Sequence, residues 1–331
     1  MRSTPTIGLH PTAWGAPASA LLVRDAQAAA PTLAGPAPDD YEALAQAARE
    51  AKDAGQLRAA LGLYERALEA ARDIGDRDRI DRALCNRITV AIALGERDTV
   101  RVPLQTVLMR RTSSESAFLA ADNLSWVFEL SKDFKKGLFY AQVARNHAQA
   151  AANAVWLAST YNQAGNCLVG DSRFGEASRA YRQALALLPA GPSPARAGVW
   201  LNLGYCAAML GEHPQAFDLA FRSLRCFRRL GDRRAQAWAH LDLCHAYVQV
   251  ERAARACRHG RRALALAEAT GESDLVKNVL FMLGEAEHKV GDIDAAYELF
   301  SRLQRDFYPQ QPQLVELLLA VDLHRMVNLR A

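Results

Sequence analysis

The 331-residue sequence lacks the short motifs by which many enzymes are recognised. It contains no GxxxxGK[ST], GxGxxG, HExxH or GxSxG motif, so the common nucleotide-binding, zinc-protease and serine-hydrolase chemistries have no signature in it. No apolar stretch reaches the ~18 residues that a membrane span needs. These absences predict a protein with no enzymatic activity, no cofactor, no metal ion and no membrane partner.

Cysteine is sparse, with six residues and no CxxC pair. Their positions suit buried helix faces, which predicts reduced core residues and neither disulfides nor metal ligands. The six are Cys85, Cys167, Cys206, Cys226, Cys244 and Cys257. A signal peptide is also missing, because His10, Pro11, Gly15 and Pro17 interrupt any apolar core. The sequence therefore predicts a cytoplasmic protein.

Residues 1–38 have no sustained apolar periodicity and hold six prolines. This composition predicts a flexible Ala/Pro-rich leader, with a short helix conceivable over 21–30. A second interpretation is that its few large apolar residues, Trp14 among them, fold back and cap the first part of the following domain. The domain itself is expected to cover residues 39–331.

One stretch, 197–230, has the pattern of two helices joined by a turn. Apolar and small residues recur at helical spacing in both halves, namely Trp200, Leu203, Gly204 and Ala207, then Ala216, Ala220, Leu224 and Phe227. Residues 211–214 read Gly-Glu-His-Pro and interrupt the pattern. Gly204 and Ala216 are small, which predicts that the two helices approach closely.

The hairpin recurs along the chain with a period of about 40 residues. Its seven predicted turn positions are Gly55, Gly95, Lys132, Ser172, Gly211, Glu251 and Gly291. Gly75, Gly231 and Gly271 fall between hairpins, each followed by an acidic residue, and predict left-handed helix ends followed by new helix starts. Pro103 is expected to interrupt the second helix of the second hairpin.

The 197–230 hairpin resembles the tetratricopeptide repeat (TPR) pattern W-x2-L-G-x2-Y…A-x3-F, with Ala207 in place of Tyr and Ala220 in place of Phe. The resemblance implies an all-α, right-handed solenoid of about seven hairpins, each longer than the usual 34 residues. A helix over 312–330 is expected to cap the last hairpin, because a repeat array must cover its final apolar face.

Side-chain amides dominate one position of the repeat, two residues before the small residue of each first helix. The residues there are Gln46, Asn86, Asn123, Gln163, Asn202, Asp242 and Met282. Each amide offers a donor and an acceptor, which suits the backbone of an extended peptide. The TPR resemblance implies that first helices line a concave groove, to which neighbouring positions add Trp126, Asn162, Asn166, Tyr205 and His245. Alternatively, Asn is simply common at this repeat position.

Two further clusters carry charge or reactive groups. Arg252, Arg255, Arg258 and Arg262 recur at helical spacing, within a segment (222–262) of eleven arginines and three carboxylates. This arginine stripe is expected on the convex face as a solvated surface without an aromatic stacking platform, and nucleic acid is not expected as a partner. His240 and Cys244 share a helix face, and we interpret them as packing residues.

The favoured hypothesis is a protein–protein interaction module, an adaptor or regulatory subunit that holds an extended partner segment in its groove. The first alternative is a peptide-gated regulator resembling bacterial peptide-sensing TPR proteins. A third is binding of nucleic acid or an acidic surface through the arginine stripe. Within the groove, the third to fifth hairpins are expected to bind best, because inner repeats are supported on both sides.

Overall fold

A computed structural model of the protein describes residues 40–97, 99–321 and 328–330, and the predicted leader lies outside them. Fifteen helices make up this part of the chain. They are α1 Tyr41–Asp53, α2 Leu57–Ile74, α3 Arg77–Ala93, α4 Arg101–Arg110, α5 Ser114–Leu130, α6 Phe134–Ala150, α7 Ala154–Gly170, α8 Phe174–Leu187, α9 Pro194–Met209, α10 His213–Arg229, α11 Arg233–Gln249, α12 Ala253–Thr270, α13 Ser273–Val290, α14 Ile293–Phe307 and α15 Leu314–Ala320.

The described residues form two compact units. The N-terminal unit comprises 40–97, 99–168 and 179–195, and the C-terminal unit comprises 169–178, 196–321 and 328–330. Within the first, α1 packs on α2, α2 on α3 and α5 on α6. Within the second, each helix from α10 to α14 packs on the next in the chain, and α11 also contacts α13. Sequential packing of this kind is the architecture of a repeat array.

The seven predicted turn residues all have left-handed backbone conformation, with φ between 58° and 94°. Three of them, Lys132, Ser172 and Glu251, are not glycine and adopt this conformation nevertheless. A left-handed residue costs an L-amino acid roughly 1–2 kcal/mol. The turn geometry is therefore imposed by the packing of the two helices it joins, and the predicted period is confirmed.

The junctions between hairpins also follow the predicted pattern. Gly75, Gly231 and Gly271 have φ of 76°, 69° and 69°, respectively. The side chain of Asp232 then accepts a hydrogen bond from the Ala235 amide at 2.9 Å, and Asp76 caps α3 in the same way. An aspartate at this position satisfies amides that have no partner within the first turn of the helix.

Pro103 does not interrupt a helix, contrary to the prediction. It lies in the first turn of α4, which begins at Arg101 and is only ten residues long. Amides in a first helical turn have no acceptor within the helix, so a residue without an N–H is tolerated there. The proline therefore lies near the start of a short helix.

Small residues do permit close helix approach where it was predicted. A methyl group added to Gly204 would lie 3.3 Å from the Leu219 Cβ atom and 3.4 Å from the Ala216 carbonyl oxygen. Gly165 is tighter, because an added methyl would lie 2.5 Å from the ring of Tyr181. All six cysteines are buried and none of them forms a disulfide.

The terminal helix is shorter than predicted. α15 packs on α14 as expected, but it ends at Ala320, and Val321 has extended backbone angles. Residues 328–330 form a turn rather than the last turn of a helix. No helix in the described ranges has the length and apolar character to cross a bilayer.

Candidate peptide-binding groove

Five buried side chains come together on the first helices of the last three hairpins. Asn202 and Tyr205 belong to α9, Asp242 and His245 to α11, and Asn278 to α13. We call this surface of the C-terminal unit the groove. A spacing of three residues places Asn202 and Tyr205 on one face of α9, and Asp242 and His245 on one face of α11. Because successive hairpins stack in a repeat fold, equivalent positions of these helices contribute to one surface.

Asn328, Leu329 and Arg330, which we call the tail, occupy the groove. The guanidinium of Arg330 donates from Nη2 to Asp242 Oδ2 at 2.6 Å and from Nη1 to Asn202 Oδ1. Its Cζ atom lies 4.4 Å from the centroid of the Tyr205 ring. Arg330 is only 9% exposed, so a charged side chain is held by a carboxylate, an amide oxygen and an aromatic face.

The peptide backbone of the tail is bound as well. The Leu329 amide donates to Tyr205 Oη at 2.9 Å, and the Leu329 carbonyl accepts from Asn278 Nδ2 at 3.3 Å. The Leu329 residue is 1% exposed. The groove therefore binds both backbone polar groups of one residue, together with an apolar and a cationic side chain.

Asn328 shapes the tail into a turn. Its Oδ1 accepts from the Arg330 amide at 3.0 Å and from Tyr205 Oη at 2.9 Å. Its Nδ2 donates to the Val169 carbonyl at 2.7 Å and to Ser172 Oγ at 3.1 Å. An Asn side chain that bonds the amide two residues later is typical of an Asx turn. The tail is thus turned, and the extended conformation of a partner segment stays a prediction.

Burial dominates the electrostatics of the groove. It raises the pKa of the Asp242 carboxyl to about 6, while the neighbouring Arg330 guanidinium acts in the opposite direction. Burial also raises the pKa of Tyr205, so its hydroxyl stays protonated and donates to Asn328. The carboxylate of Asp242 thus requires a cation, since an unpaired buried charge is costly.

Several other predicted groove residues hold helices of the N-terminal unit together. Asn123 donates to the Cys85 carbonyl at 3.1 Å, and Gln163 donates to Glu129 at 3.0 Å. Asn166 accepts from the Tyr181 hydroxyl at 2.8 Å. Trp126 belongs to the apolar core, Asn162 is buried and Asn86 is half-buried. A peptide-binding role for these residues remains a prediction.

His245 and Asn278 show what the repeat pattern could and could not find. His245 was predicted, and its ring centroid lies 5.7 Å from that of Tyr205. Asn278 was missed because the amide pattern points to Met282, one helical turn later on the same face. The tail was missed as well. Asp242 is the one acidic residue at the repeat position where amides dominate, and a buried carboxylate there indicates that a cation lies opposite it.

Three arginines of the stripe lie on α12, the second helix of its hairpin, and Arg252 is the N-cap residue of that helix; all four are exposed. None of them has an ion-pair partner among the described residues. Contrary to the prediction, aromatic rings accompany the stripe. A pocket of about 310 Å³ lies between α10 and α12, and Phe217, Phe221, Tyr247, Arg252 and Arg255 are among its lining residues.

His240 packs against a second histidine, His259 on α12. Its Nδ1 lies 2.9 Å from Nδ1 of His259, an arrangement that requires one of the two nitrogens to be unprotonated. Burial and nearby arginines lower the pKa of His240 to about 3 and that of His259 to about 4.

Burial raises the pKa of the Cys244 thiol. Among the described residues no group of His, Cys, Asp and Glu could hold a metal ion.

The histidine pair predicts an acid-sensitive fold. An unfolded chain protonates both imidazoles as pH falls below about 6.5, whereas the folded chain resists protonation down to about pH 3–4. The stabilisation that the uncharged pair contributes is therefore fully present above about pH 6.5 and is lost as the pH falls towards 3–4. We expect the melting temperature to fall by several degrees between pH 7 and pH 4.5. His240→Gln combined with His259→Gln should flatten this slope in a calorimetric pH series, whereas His288→Gln should not.

Comparison with known proteins establishes the fold class. No family model and no curated protein matches the sequence. A Rap protein solved in complex with Competence and Sporulation Factor matches at a TM-score of 0.67 and 14% identity, covering 85% of this chain and 80% of that one. The apo form of RapI matches at 0.60 and 11% identity, covering 87% and 85% of the two chains.

A tetratricopeptide repeat protein from Parabacteroides merdae also matches, at a TM-score of 0.52 and 13% identity, covering 87% of this chain and 99% of that one. The fold is therefore the all-α helical repeat of TPR-like proteins, as the sequence predicted. At these identities the similarity concerns the fold alone.

Proposed function

We propose that this protein is a non-enzymatic, cytoplasmic interaction module, an adaptor or regulatory subunit, whose groove holds a short segment of a partner. The tail supports the proposal, because the groove already binds the backbone amide and the backbone carbonyl of one residue, Leu329. Any peptide offers those two groups, so the same contacts are available to a segment in trans. The Arg330 site adds the side-chain selectivity that backbone contacts lack.

The fold comparison supports a binding role. A Rap protein of the same fold was crystallised with Competence and Sporulation Factor. A peptide-gated regulator is the alternative, and the occupied groove favours it specifically, since an occupant that can be exchanged gives the protein two states. The unpaired arginine stripe and its adjoining pocket support a third role, in which an acidic partner surface binds the second helices.

Groove variants test the proposal by affinity capture with quantitative mass spectrometry. Asn202→Ala combined with Tyr205→Phe removes a charge-assisted hydrogen bond and two neutral ones while keeping the aromatic ring. Losses of roughly 1 kcal/mol per neutral bond and about 1.5–3 kcal/mol for the charged one total about 3.5–5 kcal/mol, which predicts at least roughly 300-fold weaker capture. The melting temperature should change little.

The arginine stripe provides the matched control. Arg255→Glu, Arg258→Glu and Arg262→Glu together change an exposed surface of the same unit, and this variant should capture the same partners as the wild type. Partners that survive the groove changes and disappear with the stripe changes would refute groove binding and favour the acidic-surface role.

A further inference from the structure

We infer that the tail is an internal competitor for the groove, and that the partner segment displacing it presents an arginine to Asn202 and Asp242. This inference rests on the proposed function and extends it to the chemistry of the partner and to regulation. The geometry of the Arg330 site carries it.

The Arg330 site is shaped for a guanidinium group. Two different nitrogens of the fork reach two different acceptors, Asn202 and Asp242, while the central carbon lies over the Tyr205 ring. A lysine ammonium is a compact point charge without this planar fork, and it cannot reproduce all three contacts at once. The site therefore selects arginine over lysine.

An empty groove would be unfavourable. Asp242 is 5% exposed with Arg330 in place, and without Arg330 its carboxylate would have no cation opposite it. Removing one member of a buried ion pair is strongly destabilising, because the other charge is left uncompensated. The groove is therefore expected to hold either the tail or a partner that supplies an equivalent cation.

The tail is well suited to competition because it is tethered. An attached segment reaches its own site at an effective concentration that is commonly millimolar for short flexible connections. A partner segment must overcome this advantage, so its apparent affinity is reduced by the fraction of molecules whose groove is already occupied. Weakening the tail should raise the affinity for a segment in trans.

A synthetic peptide with the sequence of residues 326–331, MVNLRA, labelled with fluorescein at its N-terminus, is the probe. Its anisotropy is measured with the full-length protein and with the full-length double variant Asn328→Ala, Arg330→Ala, which leaves the groove side chains unchanged. We expect the double variant to bind the probe at least 30-fold more tightly than the wild type. A probe with lysine in place of its arginine should bind the double variant at least 10-fold more weakly.

Adding Asp242→Asn to the double variant should abolish probe binding, and adding Asp218→Asn, an exposed carboxylate of the same unit, should not. Equal affinity of wild type and double variant would overturn the competition, and equal affinity for the arginine and lysine probes would overturn the arginine selectivity. Neither of these two results would contradict the proposed function, provided that the groove variants still lose their captured partners. If the tail competes as expected but the groove variants keep their captured partners, the proposed function would be refuted and the competition would not.

Discussion

Asp242→Ala is expected to release the tail without unfolding the helices. The change removes the carboxylate that neutralises Arg330, so the guanidinium gains free energy by leaving the groove for water. Hydrogen bonds to charged groups contribute about 1.5–3 kcal/mol each, which corresponds to a roughly 10- to 150-fold larger population of released tail. Carboxypeptidase Y trimming, followed by intact mass measurement, reports that population.

Trimming follows the open population when docking and release are faster than cleavage. We therefore expect the C-terminal residues of Asp242→Ala to be removed at least 10-fold faster than those of the wild type. Asp218→Ala, which breaks an exposed ion pair with Arg222, is the matched control and should be trimmed at the wild-type rate. A wild-type rate for Asp242→Ala, or a global loss of helicity in that variant, would contradict a tail held by this ion pair.

Gly165→Ala is expected to cause the largest loss of stability among single methyl additions in the N-terminal unit. The new methyl would lie 2.5–2.8 Å from three atoms of the Tyr181 ring. The ring has little freedom to move, because its hydroxyl is bonded to Asn166 at 2.8 Å and the residue is 1% exposed. Overpacking of this kind costs about 1–3 kcal/mol.

Gly62→Ala provides the opposite outcome in the same unit. Gly62 lies within α2, and an added methyl meets no atom within 4 Å. Replacing glycine by alanine inside a helix contributes about 0.5–1 kcal/mol of stability when the site is open. Chemical denaturation should therefore show the two substitutions moving the midpoint in opposite directions. A stabilising effect of Gly165→Ala would contradict the close packing of Gly165 against Tyr181.

Turn positions were predictable from the sequence because they depend on local chemistry. A break in helical periodicity every 40 residues or so marks a turn even where the residue is Lys132 or Glu251 rather than glycine. Close helix approach was predictable too, since only small residues such as Gly204 permit it. The prediction for Pro103 was wrong because the sequence pattern does not show where α4 begins. The helix begins at Arg101, and a proline is compatible with the first turn of a helix.

The groove was predicted only in part. Asn202, Tyr205, Asp242 and His245 follow from repeat positions, because a periodic fold places equivalent residues on one surface. Asn123 and Gln163 occupy the same repeat position but bond to neighbouring helices, a choice that depends on contacts more than 30 residues away in sequence. The tail was hidden because its apolar spacing is compatible with a helix, whereas its place in the fold is decided by tertiary contacts.

Amide hydrogen exchange at Leu329 tests the central claim that the groove binds a peptide segment. This amide donates to the Tyr205 hydroxyl in a fully buried site, so it should exchange far more slowly than an unstructured amide in the full-length protein at pH 7. Asn202→Ala combined with Tyr205→Phe should restore nearly unprotected exchange. Leu329 exchanging at the unprotected rate in the wild type would mean that the tail does not occupy the groove.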